Sequence, residues 1–95
     1  MEAWLLCEVS TGQFSTEAAV RGKNSSGKEF SLFAPIQDVR SRGALGDEWE
    51  EGSLRVEVLE AQNGYHLVYL PSQTFESGQT VTVRSTQLER SPSAV

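Results

Sequence analysis

Two apolar runs flank Asn63-Gly64 in residues 54–70, LRVEVLEAQNGYHLVYL, and no other stretch of the chain is patterned as strongly. A type I′ turn needs positive φ at both central residues, and Asn followed by Gly reaches it at least cost. The dipeptide therefore predicts a two-residue β-hairpin. Counting outward pairs Gln62 with Tyr65, Ala61 with His66, Leu59 with Val68 and Val58 with Tyr69. The alternation on the first strand changes face midway. Leu54, Val56 and Val58 share one face, whereas Leu59 and Ala61 share the other. A regular strand cannot point both sets at one core. A β-bulge near 58–59 resolves the conflict by inserting one residue and bending the strand. On the second strand Val68 and Leu70 are expected in the core, which leaves Tyr65 and Tyr69 partly exposed.

The same two-residue period recurs elsewhere. Leu5, Cys7 and Val9 fall on one face and Trp4, Leu6 and Glu8 on the other, so a strand is expected over residues 3–9. Residues 14–21, FSTEAAVR, have two readings. Ser15 could N-cap a short helix with Gly22 at its end, but six or seven residues make a marginal helix. As a strand, Ala18 and Val20 face in while Glu17, Ala19 and Arg21 face out. The strand is preferred because residues 28–34 pair naturally with it, with Phe30 and Leu32 on one face and Phe33 on the other, covering a barrel end. Pro35 stops that strand. Residues 35–52 show no period and predict a long irregular loop, functional or mobile, in which Ile36 and Val39 suit one helical or 3₁₀ turn tucked inward. Phe75 reads as an anchor and Ser77-Gly78 as a turn. Val81 and Val83 alternate with Thr80, Thr82 and Arg84, which predicts a half-buried strand, and a single turn at 85–88 then places Leu88 on the core. A single β domain is expected over 1–88, with a flexible tail over 89–95.

Five to six short antiparallel strands with tight turns predict an all-β fold that curls into a small barrel. The long 35–52 connection, the Asn63-Gly64 hairpin and the ending LPSQTFESGQTVTVRSTQL together resemble the SH3-like barrels of small uncharacterised bacterial proteins. The resemblance covers the second half of the chain. It implies a small SH3-like barrel and supplies no biochemical role. An OB-type barrel is the alternative, although it would usually carry longer strands and a helix.

Charge and composition narrow the partners. The 95 residues carry a formal net charge of −5, which opposes non-specific binding to nucleic acid. One cysteine, Cys7, cannot form an internal disulfide. The N-terminal MEAWLLCEV has no basic n-region and contains Glu2 and Glu8, so it reads as part of the fold, and a cytoplasmic location is expected. No apolar run approaches the ~18 residues of a membrane span.

No motif specifies a chemistry. The acidic residues Asp47, Glu48, Glu50, Glu51, Glu57 and Glu60 offer oxygen ligands for Ca²⁺ or Mg²⁺ but lack EF-hand spacing, and a solvated acidic loop is the expected reading. His66 is a lone histidine beside a turn, and Cys7 reads as a small buried hydrophobe rather than a nucleophile. No catalytic residue, cofactor or metal is expected. Exposed aromatics are the more usable clue, with Trp4 also among those read as partly exposed. Trp49, Tyr65 and Tyr69 are expected to form a protein-binding or self-association surface next to the long loop. The alternative is nucleic-acid binding through Arg21, Lys23 and Lys28 with neighbouring aromatics, joined by Arg40, Arg42, Arg55 and Arg84 if these converge.

Overall fold

Strand β1 (Glu2–Thr11) is shared by both halves of the molecule in the computed structural model, which describes residues 1–76 and 78–89. One edge of β1 pairs with β5 (Glu50–Gln62) from Glu2↔Glu57 to Val9↔Glu50. Its other edge is divided. Residues 8–11 pair with β2 (Glu17–Lys23), and Trp4 and Leu5 pair with β8 (Leu88–Glu89). A twisted strand that changes partner along one edge turns the sheet around itself. With β3 (Glu29–Pro35), β4 (Val39–Ser41), β6 (Tyr65–Tyr69) and β7 (Thr80–Arg84), the antiparallel order is β3-β2-β1-β5-β6-β7. The fold is all-β, a sheet curled into a half-barrel. The eight strands among the described residues exceed the five or six expected because β4 and β8 are only three and two residues long.

The core follows the alternation. Leu5, Val20, Leu32, Leu54, Val68 and Val83 are fully buried, each from a different strand. Residues 17–23 are strand rather than helix, with Ala18 and Val20 buried. Gly22 lies opposite Phe30, and a Cβ there would stand 2.9 Å from the Phe30 ring, so the ring fills the space a side chain would take. Phe33 is half-buried on the outer side, edge-on to Phe75 with ring centroids 5.3 Å apart.

The hairpin turn has Asn63 at φ 53° and Gly64 at φ 83°, the positive pair a type I′ turn requires. Gln62↔Tyr65 and Ala61↔His66 pair as expected. The bulge then intervenes. Val58, not Leu59, faces Val68, and Glu57, not Val58, faces Tyr69. Leu59 is the inserted residue. Val58 packs on the core, but Leu59 stays 49 % exposed, because the neighbouring strand ends where the Val58 amide donates to the Met1 carbonyl at 2.6 Å. Ala61 is also exposed, so the bulge brings only one of the two apolar sets onto the core. Gly64→Ala places an L side chain at φ 83°, and a loss of about 1 kcal/mol is expected from urea unfolding.

The expected 35–52 loop is partly ordered structure. Residues Ile36–Asp38 form a 3₁₀ turn, Val39 and Ser41 pair with Leu54 and Gly52, and β5 begins at Glu50. Val39 is half-buried on the core, whereas Ile36 remains exposed, so only one of the two turns inward. The irregular remainder, residues 42–49, is held to β1 by Ser10 Oγ and the Thr11 amide, which donate to the Gly46 carbonyl at 2.9 and 3.0 Å. Arg55 Nε donates to Asp38 Oδ1 at 2.8 Å and fixes the 3₁₀ turn against β5.

The sheet's two edges, β3 and β7, are bridged by loops. The Ser25 amide donates to the Thr82 carbonyl at 2.8 Å, and the Phe75 amide donates to the Ser31 carbonyl at 2.9 Å. Ser31 N and Oγ each donate to the Glu76 carboxylate at 2.8 Å. The Ser31 amide, with Lys28 adding to it, holds that carboxyl below its ordinary value. After β7 a 3₁₀ turn (Ser85–Gln87) lets Gln87 Nε2 donate to the Lys23 carbonyl at 2.7 Å and sets Leu88 against the core. Glu89, expected in the tail, is paired with Trp4. The rest of the expected tail, 90–95, and Ser77 of the expected turn lie outside the described residues, while Gly78 has φ 63°. No helix among the described residues is long and apolar enough to cross a membrane.

Candidate functional site

Strand β6 carries the arrangement best suited to recognition. Val68 points inward and is fully buried, so Tyr65, Leu67 and Tyr69 point outward by the two-residue period. Tyr65 and Tyr69 are 42 and 44 % exposed, and Leu67 is half-buried between them. Register sets their neighbours. Tyr65 stands between Gln62 and Arg84, Leu67 between Glu60 and Thr82, and Tyr69 between Glu57 and Thr80. The result is an apolar stripe with an acidic and polar border on β5 and a hydroxyl and basic border on β7. The Arg84 guanidinium lies 5.4 Å from the Tyr65 ring centroid, a cation–π contact that orients the tyrosine. A shallow depression of about 460 Å³ opens beside Tyr65 and Leu67, bordered by Glu60, Gln62, Asn63 and Thr82.

Trp49 is not part of this surface. It precedes β5, whereas Tyr65 pairs with the last residue of β5, so the strand's full length separates them. Trp49 belongs to the outer side of β1 and β2, where the Arg21 guanidinium sits 4.4 Å from its ring centroid. Arg21 Nε also donates to Glu8 Oε1 at 2.8 Å. Further along β1, the Arg40 guanidinium lies 3.7 Å from the Trp4 ring, and Leu6, 48 % exposed, lies between the two aromatic sites. Leu6 was not among the expected site residues, and Trp4 and Arg40, each named as a candidate, were not expected to pair. Their signal was available, since Trp4, Leu6 and Glu8 share the outward face of β1. Leu67 was likewise signalled by its position between two outward tyrosines.

The basic residues do not gather into one patch, although Arg84 reaches the turn between Lys23 and Lys28. Arg21 is paired with Glu8, Arg55 with Asp38 and Glu2, and Arg84 lies over Tyr65, its Nε donating to the Ser25 carbonyl at 3.4 Å. Lys23 and Lys28 are exposed at the two ends of the β2–β3 turn. Arg40 and Arg42 border a separate depression around Leu6.

Groups with chemical potential are dispersed. Among the described residues no three His, Cys, Asp or Glu side chains come together as metal ligands would. His66 is half-buried, and its Nδ1 is buried without a hydrogen-bond partner among the described residues, as is Glu50 Oε1. Burial, with Glu8 adding to it, pushes the Cys7 thiol up to about 12. A thiolate is the reactive form, so Cys7 should not react with a disulfide reagent at pH 8 in the folded chain and should react fully in guanidinium. Unfolded, the thiol ionises near its ordinary value of 9.0, whereas folded it keeps its proton to about 12. The folded state therefore binds more protons in this window, and stability falls as pH rises above 9, by up to about 1.4 kcal/mol per pH unit. Below 9 the effect vanishes. Urea unfolding from pH 8 to 10.5 should show the decline in the wild type and a smaller one in Cys7→Ala.

No protein-family model matches this chain, and no curated protein or solved structure matches it.

Proposed function

We propose that this chain is a non-catalytic protein-binding or assembly module, acting in the cytoplasm, that docks through the outer face of β6. The observation that supports this is the Tyr65–Leu67–Tyr69 stripe with a polar border on both sides. Interfaces have this anatomy, an apolar centre rimmed by polar residues, with tyrosine and arginine over-represented at the positions that matter most. The borders also define the partner. Glu57 and Glu60 lie on one side, so the complementary surface presents an apolar ridge with lysine or arginine along the flank that meets β5. Kinship with SH3-like barrels belongs to the same proposal.

The test is comparative capture. Wild-type protein and a Tyr65→Ser/Tyr69→Ser variant are immobilised and challenged with the same extract, and bound proteins are eluted by salt. A partner held by the wild type and lost at least tenfold in the variant is expected, together with salt-sensitive release. Self-association on sedimentation, abolished in the variant, would equally fit an assembly role. Equal capture by both proteins with no self-association contradicts the proposal.

A second reading rests on Trp49 with the Arg21 guanidinium over its ring. Single-stranded nucleic acid stacks on such aromatic platforms, with Lys23 and Lys28 as phosphate contacts. Titration of a labelled oligonucleotide at low salt tests it. Absence of binding, or binding indifferent to salt, ends it.

A further inference from the structure

The β3 edge is closed by a short strap rather than by a strand. In an antiparallel ladder the amide and carbonyl of one residue point to the same side, and the side alternates along the strand. Ser31 directs both groups away from β2, and the strap satisfies them. The Phe75 amide donates to the Ser31 carbonyl at 2.9 Å, and the Ser31 amide and hydroxyl donate to the Glu76 carboxylate at 2.8 Å each. Phe75 lays its ring edge-on against Phe33, yet it remains 67 % exposed. The strap thus gains little from burial, and the hydrogen bonds that Phe75 and Glu76 make to β3 fall on Ser31. By the same alternation Glu29 and Phe33 also face this edge, and a longer strand would pair with both.

We propose that the β3 edge is a docking site for an extended segment carrying an aromatic residue followed by a carboxylate, and that Phe75-Glu76 is its internal occupant. The strap's contacts state what the edge recognises: a backbone donor for the Ser31 carbonyl, a carboxylate for its amide and hydroxyl, and a ring for Phe33. Adding a strand to an open edge gives affinity through main-chain bonds, and side chains give selectivity. Phe75 and Glu76 meet the edge at Ser31, so a competing strand that also pairs with Glu29 and Phe33 displaces them. This site is separate from the β6 stripe and does not depend on it.

The test uses the full chain and a Phe75→Ala/Glu76→Gln variant. Hydrogen exchange of the Ser31 amide should speed up at least tenfold in the variant, while amides of β1 are unchanged. A labelled, capped peptide with the sequence of residues 71–76, PSQTFE, should bind the variant at least tenfold more tightly than the wild type by fluorescence anisotropy. The same peptide with alanine in place of phenylalanine should not bind. Unchanged exchange at Ser31 overturns the proposal, as does faster exchange throughout β1, which would make the strap a part of global stability. A peptide that binds neither protein, or binds both equally, overturns it too. Loss of the β6 partner in the Tyr65→Ser/Tyr69→Ser variant leaves each of these readings unaffected, so the two sites fail separately.

Discussion

Gly52→Ala should lower the melting temperature by about 10–20 °C. Gly52 lies between β1 and β4, opposite Cys7 on one side and Ser41 on the other. A Cβ at this position would stand 2.4 Å from the Arg40 carbonyl oxygen and 2.8 Å from Val9 Cγ2. The first of these atoms is backbone, so no rotamer change relieves the contact. Strand β4 must move away from β5, or Val9 must leave the core. Overpacking of this kind costs about 1–3 kcal/mol or more, and each kcal/mol shifts a domain of this size by about 4–8 °C. Gly43→Ala is the control, because a Cβ there meets nothing within 4 Å. Its effect should stay within about 0.5 kcal/mol. Equal shifts in the two variants would mean that β4 does not approach β5 as closely as described.

Phe30→Ala should cost about 3–5 kcal/mol, the usual range for removing a buried phenylalanine. Phe30 is 5 % exposed, and its ring covers Gly22 on the paired strand. The pairing makes the two positions interdependent. In the wild type, Gly22→Ala forces the ring aside and should destabilise. In the Phe30→Ala background the same methyl enters vacated space and should be neutral or stabilising. A coupling energy of about 1 kcal/mol or more is expected from urea midpoints of the four proteins. Simple additivity would show that the ring does not rest on the glycine.

The elements that were legible in the sequence are those in which one strong local signal fixes geometry. Asn63-Gly64 set the turn, and the change of face between Val58 and Leu59 located the bulge that bends β5. Strand β4 and the start of β5 were hidden for a physical reason. Glu50, Gly52 and Ser53 lack the apolar alternation of a strand, because the inward position at 52 must be empty of side chain for β4 to pack. Strand β8 is two residues long and has no period to detect. The candidate site was legible in part for the same reason. Counting from the turn placed Tyr65 and Tyr69 on one outward face. It could not separate them from Trp49, since that required knowing that β5 runs 13 residues, about 40 Å of extended chain.

The docking role of β6 is tested most directly by site-resolved photo-crosslinking. A photoreactive amino acid is placed at Leu67, at the centre of the stripe, and in a second protein at Ala44, which is exposed in the 42–49 loop. A discrete crosslinked protein species from position 67, absent from position 44 and lost when Glu60→Lys reverses the adjoining charge, is the predicted result. Crosslinks of equal yield and pattern from both positions, or none from position 67, would contradict it.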